Sequence, residues 1–218
     1  MKKIHVLITG IIISQCVAAQ VSIGTDASVL RSLTRGQHFT VFGQTVFSNF
    51  HIKKKESVYT AVSYYTNGNF RNSLTAFART PITPLSLKYT VQSSIRFRQF
   101  SLGWKHYWKG SFDDENSWNL YTTTGFGLLW GRVQNTYNTF IDTARYVVPQ
   151  RSLAGSGKIR RLTFDVGTGA EILLGGGLFL YGELRTWLQA SDYPTPYLFN
   201  DDIPRVLMLN GGIRVLLY

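Results

Sequence analysis

The chain has 218 residues and a formal net charge of +11, yet only 16% of its side chains are charged, against 44% hydrophobic and 14% aromatic. A soluble domain carries roughly 25% charged residues, so this composition argues against an ordinary water-facing surface. Cys16 is the one cysteine, which excludes an intramolecular disulfide or a cysteine-built metal site, and the length suits a single domain.

Residues 1–19 read as a secretory leader. Lys2 and Lys3 form its charged region, Val6 to Ile13 its apolar stretch, and Val17, Ala18 and Ala19 the small residues before a cut that leaves Gln20 first. The apolar stretch is too short to span a bilayer as a helix. Gln15 precedes Cys16 where a lipid-attachment box wants Gly, Ala or Ser, which disfavours lipidation. A cut after Ala19 removes the cysteine and lowers the formal charge from +11 to +9 through loss of Lys2 and Lys3. Export argues against nucleic acid as the partner of the remaining positive charge and favours phosphorylated lipid headgroups, with a merely solvated basic surface as the alternative.

Residues 20–218 are expected to form an eight-stranded antiparallel up-and-down transmembrane β-barrel, an all-β fold. Apolar residues recur at every second position rather than in helical spacing. The strands are read near Val21–Leu30, Gln37–Ile52, Ser57–Thr66, Val91–Trp108, Trp118–Asn135, Ile159–Leu174, Leu178–Ala190 and Arg205–Tyr218. Between them, Asn67–Thr90, Thr136–Lys158 and Ser191–Pro204 are long and rich in Asn, Thr, Pro and Ser, as outer loops. Lys53–Glu56, Lys109–Ser117 and Gly175–Gly177 are shorter, as periplasmic turns.

Alternation alone does not separate a membrane barrel from a soluble one; the chemistry of the second face does. One parity carries Leu120, Phe126, Leu128 and Trp130, then Leu162, Phe164, Val166 and Ile172, then Leu180, Leu184, Leu209 and Ile213, with no charge through its middle. A charge facing lipid at mid-depth costs about 2–4 kcal/mol. The other parity holds Gly24, Gly125, Gly127, Gly131, Gly167, Gly169 and Gly212 beside Ser101, Thr123 and Thr163. Glycine weakens strands, but inside a barrel of this size it makes room for long neighbours. That inner parity also collects Asp26, Asp165, Glu171 and Glu183 against Lys105, Arg161, Arg185 and Arg214, four acids and four bases that fit a mutually paired interior network. A proton or ion path along the same residues is the alternative. The second strand is ambiguous: Phe39, Val41 and Phe47 compete with Phe42, Val46 and Phe50, so a bulge is expected near Gly43.

Trp and Tyr cluster near strand ends, among them Tyr64, Trp104, Trp108, Trp118 and Trp187, as residues that favour the headgroup level do. With the segments Ile23–Asp26, Phe42–Thr45, Ser63–Tyr65, Phe97–Trp108, Trp118–Tyr121 and Ser191–Leu198, the chain resembles the small outer-membrane β-barrel proteins of Gram-negative bacteria, OmpA/OmpX-like in architecture. Within these it is most similar to a group from gliding and gut-type bacteria. The resemblance implies an outer-membrane location, no cofactor, and a terminal aromatic residue, here Tyr218, read by the barrel-assembly machinery. Tyr218 lies one position out of register with Ile213, Val215 and Leu217.

Catalysis is disfavoured. His38, His51 and His106 are the candidate bases of residues 20–218, and Ser101, near His106, has the opposite parity; no Gly-x-Ser-x-Gly or His-Glu-x-x-His motif occurs. Asp113-Asp114-Glu115 and Asp201-Asp202 read as solvated acidic turns rather than calcium loops. Arg145, Arg151, Lys158, Arg160 and Arg161 bracket an outer loop and are candidates to contact lipopolysaccharide phosphates, with a solvated loop that adds solubility as the equal alternative. The leading expectation is a non-enzymatic barrel with a structural or surface-interaction role. The alternatives are an OmpW-like narrow channel for small apolar solutes, marked by Leu129 and Val133 at the outer end of the lumen, and a lipid-modifying enzyme.

Overall fold

The structure is a computed structural model that describes residues 20–81, 84–114, 118–149, 153–191, 196–198 and 204–217. The leader, Glu115, Arg151, Asp201, Asp202 and the terminal Tyr218 lie outside these. The strands are β1 Gln20–Ser32, β2 Thr40–Lys53, β3 Glu56–Tyr65, β4 Gly68–Ala78, β5 Ser86–Lys109, β6 Asn119–Tyr137, β7 Tyr146–Val147, β8 Gly155–Gly175, β9 Leu178–Gln189 and β10 Val206–Leu217. Eight of them close a ring in the order β1-β2-β3-β5-β6-β8-β9-β10, every neighbour antiparallel and β10 pairing back on β1. Closure leaves no edge among these strands, which is what lets strands sit in lipid.

Along every ring strand the side chains alternate. On β6, Tyr121, Leu129 and Val133 are buried while Leu120, Phe126, Leu128 and Trp130 are exposed. Large apolar side chains face outward in the same way on every ring strand, from Ile23 on β1 to Leu217 on β10. The ten steps from Leu120 to Trp130, at about 3.3 Å each and tilted by about 40°, span a band about 25 Å tall, the height of a bilayer core. The outer wall is the lipid face.

One end of the barrel carries Lys54-Lys55, the β5–β6 link that begins at Gly110, and Gly176-Gly177, whose φ angles of 57° and 77° are those of a primed hairpin turn. The other carries the long loops. Two features there depart from the sequence reading. Residues 67–90 are not a structureless loop: β3 pairs with the lower half of β5, Glu56↔His106 to Tyr64↔Arg98, and β4 takes over on the upper half, Gly68↔Ile95 to Phe77↔Ser86. Residues 136–158 likewise contain β7, which pairs with the far end of β4, and the lengthened start of β8. A small sheet therefore stands above the membrane band. Its own core is Ala76, Tyr89, Val91 and Ile141, with Leu74, Tyr137, Tyr146 and Val148 packed around it. The Asn- and Ser-rich composition hid it, although Phe70, Leu74 and Ala76 keep the two-residue period.

Ile141 is the one side chain of the loop between β6 and β7 that is buried in this cluster. Ile141→Asp loses about 2 kcal/mol of local packing, enough to raise the open population about thirtyfold. Trypsin cleavage after the neighbouring Arg145 in proteoliposomes is expected to accelerate accordingly, with barrel mobility on gels unchanged.

The expected bulge near Gly43 is absent. β1 and β2 pair without interruption from Gln20↔His51 to Arg31↔Thr40; the irregularity in β2 falls at the turn end, between His51 and Lys53. Both apolar sets are satisfied because each has its own solvent. Phe42, Val46 and Phe50 face lipid, while Val41 and Phe47 face a lumen that is itself apolar or aromatic at those depths.

Candidate functional site

The lumen is filled in three layers. At the loop end Phe39, Phe70, Phe97, Tyr65, Trp187 and Met208 form an aromatic plug: Phe39 stacks on Phe70 at 5.9 Å, and Trp187 meets Phe97 edge-on at 5.7 Å and Tyr65 at 6.1 Å. Trp187 Nε1 donates to the Pro204 carbonyl at 3.2 Å and Tyr65 Oη to Met208 Sδ at 3.0 Å, so the polar atoms of this layer are used. Leu129 and Val133 are fully buried within it.

The middle layer is polar. Asp26 accepts from Tyr181 Oη at 2.8 Å and the Thr45 amide at 3.0 Å. Asp165 accepts from Ser101 Oγ at 2.6 Å, Gln99 Nε2 at 2.9 Å and Thr163 Oγ1 at 2.9 Å. Arg185 donates from Nη2 to Tyr59 Oη at 2.8 Å, and its Nε lies 3.9 Å from Glu183. A cavity of about 30 Å³, enough for water, remains between Asp26, Thr45, Asn49, Tyr181, Glu183 and Arg185.

The turn-end layer is organised by Glu171. Arg214 forks onto its carboxylate, Nη2 at 2.7 Å and Nε at 3.2 Å, and Lys105 Nζ reaches it at 3.1 Å. Lys105 sits 3.6 Å from the Tyr121 ring centroid and Arg214 3.9 Å from that of Phe179. Phe112 folds in from the β5–β6 connection, accepts from Arg214 at its carbonyl (2.9 Å) and stacks on His51 at 4.1 Å. The eight interior charges thus fall into separate groups. Glu171 is ion-paired to two bases, Glu183 lies beside Arg185, and Asp26 and Asp165 are met by neutral donors. Arg161 is buried at the loop-end side of Asp165, on the same face of β8.

The outside of the wall carries a second arrangement. From the membrane band upward on β3, β5, β6 and β8, the first cross-strand row is Val62, Phe100, Leu128 and Leu162, all exposed and apolar. The next row is Tyr64, Arg98, Trp130 and Arg160, alternating ring and cation. Above it stand Arg96, Arg132 and Lys158, directly opposite one another on three adjacent strands. Of the bases that the sequence singled out, Lys158 and Arg160 stand on this outer wall. Arg145 does not: it lies on an exposed loop, 3.4 Å from Asp142. Arg161 points into the lumen instead, because it is one residue out of phase with Arg160. Arg96, Arg98 and Arg132 were missed; on a strand they share the parity of Phe100 and Leu128, and only pairing across strands brings them to Lys158 and Arg160.

No protein-family description matches the sequence, and no curated protein matches it. Solved structures do. Neisserial surface protein A superimposes with a TM-score of 0.53 at 11% identity, covering 89% of this chain and 96% of that one. A major outer membrane protein from Thermus thermophilus gives 0.53 at 11%, covering 92% and 100%. Ail of Yersinia pestis, crystallised with the heparin analogue sucrose octasulfate, gives 0.51 at 10%, covering 91% and 99%. The fold is that of the small outer-membrane β-barrels.

Within that barrel fold, the histidine candidates resolve as follows. His51 Nε2 lies 2.9 Å from Ser22 Oγ and its Nδ1 2.6 Å from Ser57 Oγ, with Asn49 donating to Ser22 at 3.2 Å. This is a serine–histidine pair in reach of proton transfer, but Ser22, His51 and Ser57 are all buried behind Phe112, on the lumen side away from lipid. His106 stands on the outer wall edge-on to Trp108 at 4.9 Å. His38 lies 3.5 Å from the Ser32 carbonyl. Among the described residues no group of three or more His, Cys, Asp or Glu is placed to hold a metal.

Proposed function

We propose that this protein is a non-enzymatic integral outer-membrane barrel, exported by residues 1–19, whose role is structural and surface-interactive rather than conductive. The observation that supports this is the filled lumen. Among the described residues an aromatic plug packs across the loop end and the Glu171 group with Phe112 across the turn end, and a cavity of about 30 Å³ lies between them. An OmpW-like route needs an open apolar outer lumen; here Leu129, Val133 and Trp187 occupy that volume. The interior charges then serve to fill and orient the core. Lipids of the outer membrane surround the wall, and the barrel-assembly machinery is the partner during biogenesis.

Planar-bilayer recording tests this reading. The wild-type protein is expected to give no conductance steps, and Glu183→Arg to lower the unfolding midpoint in urea without opening a current. Steps in the wild type whose size changes with Glu183→Arg in a protein still folded on gels would reverse the conclusion in favour of a channel.

A further inference from the structure

The Arg96–Arg132–Lys158 row is a physical problem for an isolated barrel. Like charges directly opposite on neighbouring strands destabilise a sheet, and here three stand in one row with Arg98 and Arg160 in the row beneath. Among the described residues none of these five side chains has a carboxylate partner; Arg98 alone has a described contact, 5.6 Å from the Tyr64 ring. Strands lie about 4.8 Å apart and alternate residues about 6.6 Å along, so the cations occupy a patch about 10 Å wide and 7 Å high. A shallow groove of about 210 Å³ runs over it, with Trp130 among the residues that line it.

What lies on either side identifies the occupant. Immediately below are Phe100, Leu128 and Leu162, in the lipid band. Immediately above, on the small upper sheet, come the rows Asn69, Ser94 and Gln134, then Arg71, Gln92 and Thr136, which line a second groove of about 710 Å³. Read outward, the wall is apolar, then aromatic with cations, then cationic, then amide and hydroxyl with the single cation Arg71. A molecule matching this sequence has acyl chains, at least two phosphates at the bilayer surface, and a polyhydroxyl portion beyond them. Arginine forks suit phosphate oxygens, Trp130 suits the face of a sugar at the headgroup level, and Asn and Gln side chains suit hydroxyls.

From this match we infer that the outer wall of β5, β6 and β8 is a binding site for one phosphorylated, multiply acylated glycolipid of the lipopolysaccharide class, held by Arg96, Arg98, Arg132, Lys158 and Arg160 through its phosphates. The inference rests on the outer-membrane reading above and adds a specific lipid site to it. The bound phosphates neutralise the row, so the lipid completes the sheet where the protein alone is self-repelling.

The experiment uses the full chain refolded into phosphatidylcholine nanodiscs, with folding verified by gel mobility before and after boiling. Bisphosphoryl lipid A, monophosphoryl lipid A and inorganic phosphate are the probes, and thermal midpoint and native mass spectrometry are the readouts. Bisphosphoryl lipid A is expected to bind at least tenfold more tightly than the monophosphoryl form and to raise the midpoint, and inorganic phosphate not to displace it. The variant Arg96→Gln/Arg132→Gln/Arg160→Gln is expected to lose at least tenfold in affinity yet to be no less stable than wild type in lipid-A-free discs, because it removes the repulsion. Arg79→Gln/Arg145→Gln, on the exposed loops, is the control and should bind as wild type. Equal retention of both lipid A forms, an unchanged triple variant, or full displacement by inorganic phosphate would overturn the site. Because folding and conductance are scored separately, loss of the barrel itself would be seen as such and would strike the broader reading instead.

Discussion

Glu171→Gln is expected to lower the stability of the folded barrel by about 3–5 kcal/mol, the cost of leaving buried cations without their counter-charge. Its carboxylate accepts both fork nitrogens of Arg214 and the ammonium of Lys105, and all three side chains are 5% exposed or less. An amide keeps the shape and one acceptor but strands two positive charges beside each other. Against total stabilities of 5–15 kcal/mol, that is a large fraction. In a urea titration scored by the compact band on unboiled gels, with a slope of about 2 kcal/mol per molar, the midpoint should fall by roughly 2 M. Replacing the whole group, Glu171→Leu with Lys105→Met and Arg214→Leu, should recover most of the loss, since apolar substitution of a complete buried ion group is often neutral. A Glu171→Gln midpoint within about 0.3 M of wild type would show that Lys105 and Arg214 do not depend on this carboxylate.

Gly125→Val should abolish the compact band altogether. Gly125 and Gly103 face each other across β5 and β6, and the Tyr59 ring lies over the pair. A Cβ at Gly125 would meet the Leu102 carbonyl oxygen at 2.5 Å, Gly103 Cα at 2.7 Å and Tyr59 Oη at 2.8 Å. Two of these are backbone atoms of the partner strand and have nowhere to go, so relief requires the ladder itself to shift. Gly211 provides the contrast on the lipid face: no atom lies within 4 Å of its Cβ position. Gly211→Ala should therefore fold as well as wild type, or slightly better, since alanine limits the unfolded chain. Refolding yield into detergent separates the two positions. Equal yields would mean that the inward glycines are not there for space.

The barrel and its inside-out character were legible in the chain alone. Period-two alternation set the faces, and the choice of lipid face followed from local chemistry. The Leu207–Leu217 parity has no charge to bury, and the opposite parity of β8 and β10 carries Asp165, Glu171 and Arg214 beside glycines. Each of those facts is a property of one strand, so a single sequence contains it. For the same reason the placement of Leu129 and Val133 in the lumen could be read from β6 alone.

Whatever depends on which strand lies beside which, and at what register, emerged only from the folded ring. That Glu171 meets Lys105 and Arg214, while Asp165 takes Ser101 and Gln99, follows from β5, β8 and β10 converging at particular heights. The division of β5 between β3 below and β4 above was hidden because the upper sheet is built from Asn, Ser and Thr, whose alternation carries little hydrophobic contrast. The basic wall is the sharpest case. Arg96 and Lys158 are 62 positions apart in the chain yet sit in one row through Arg132 between them. Local pattern encodes which way a side chain points; register across the closed ring, a collective outcome of all the pairings, encodes what it points beside.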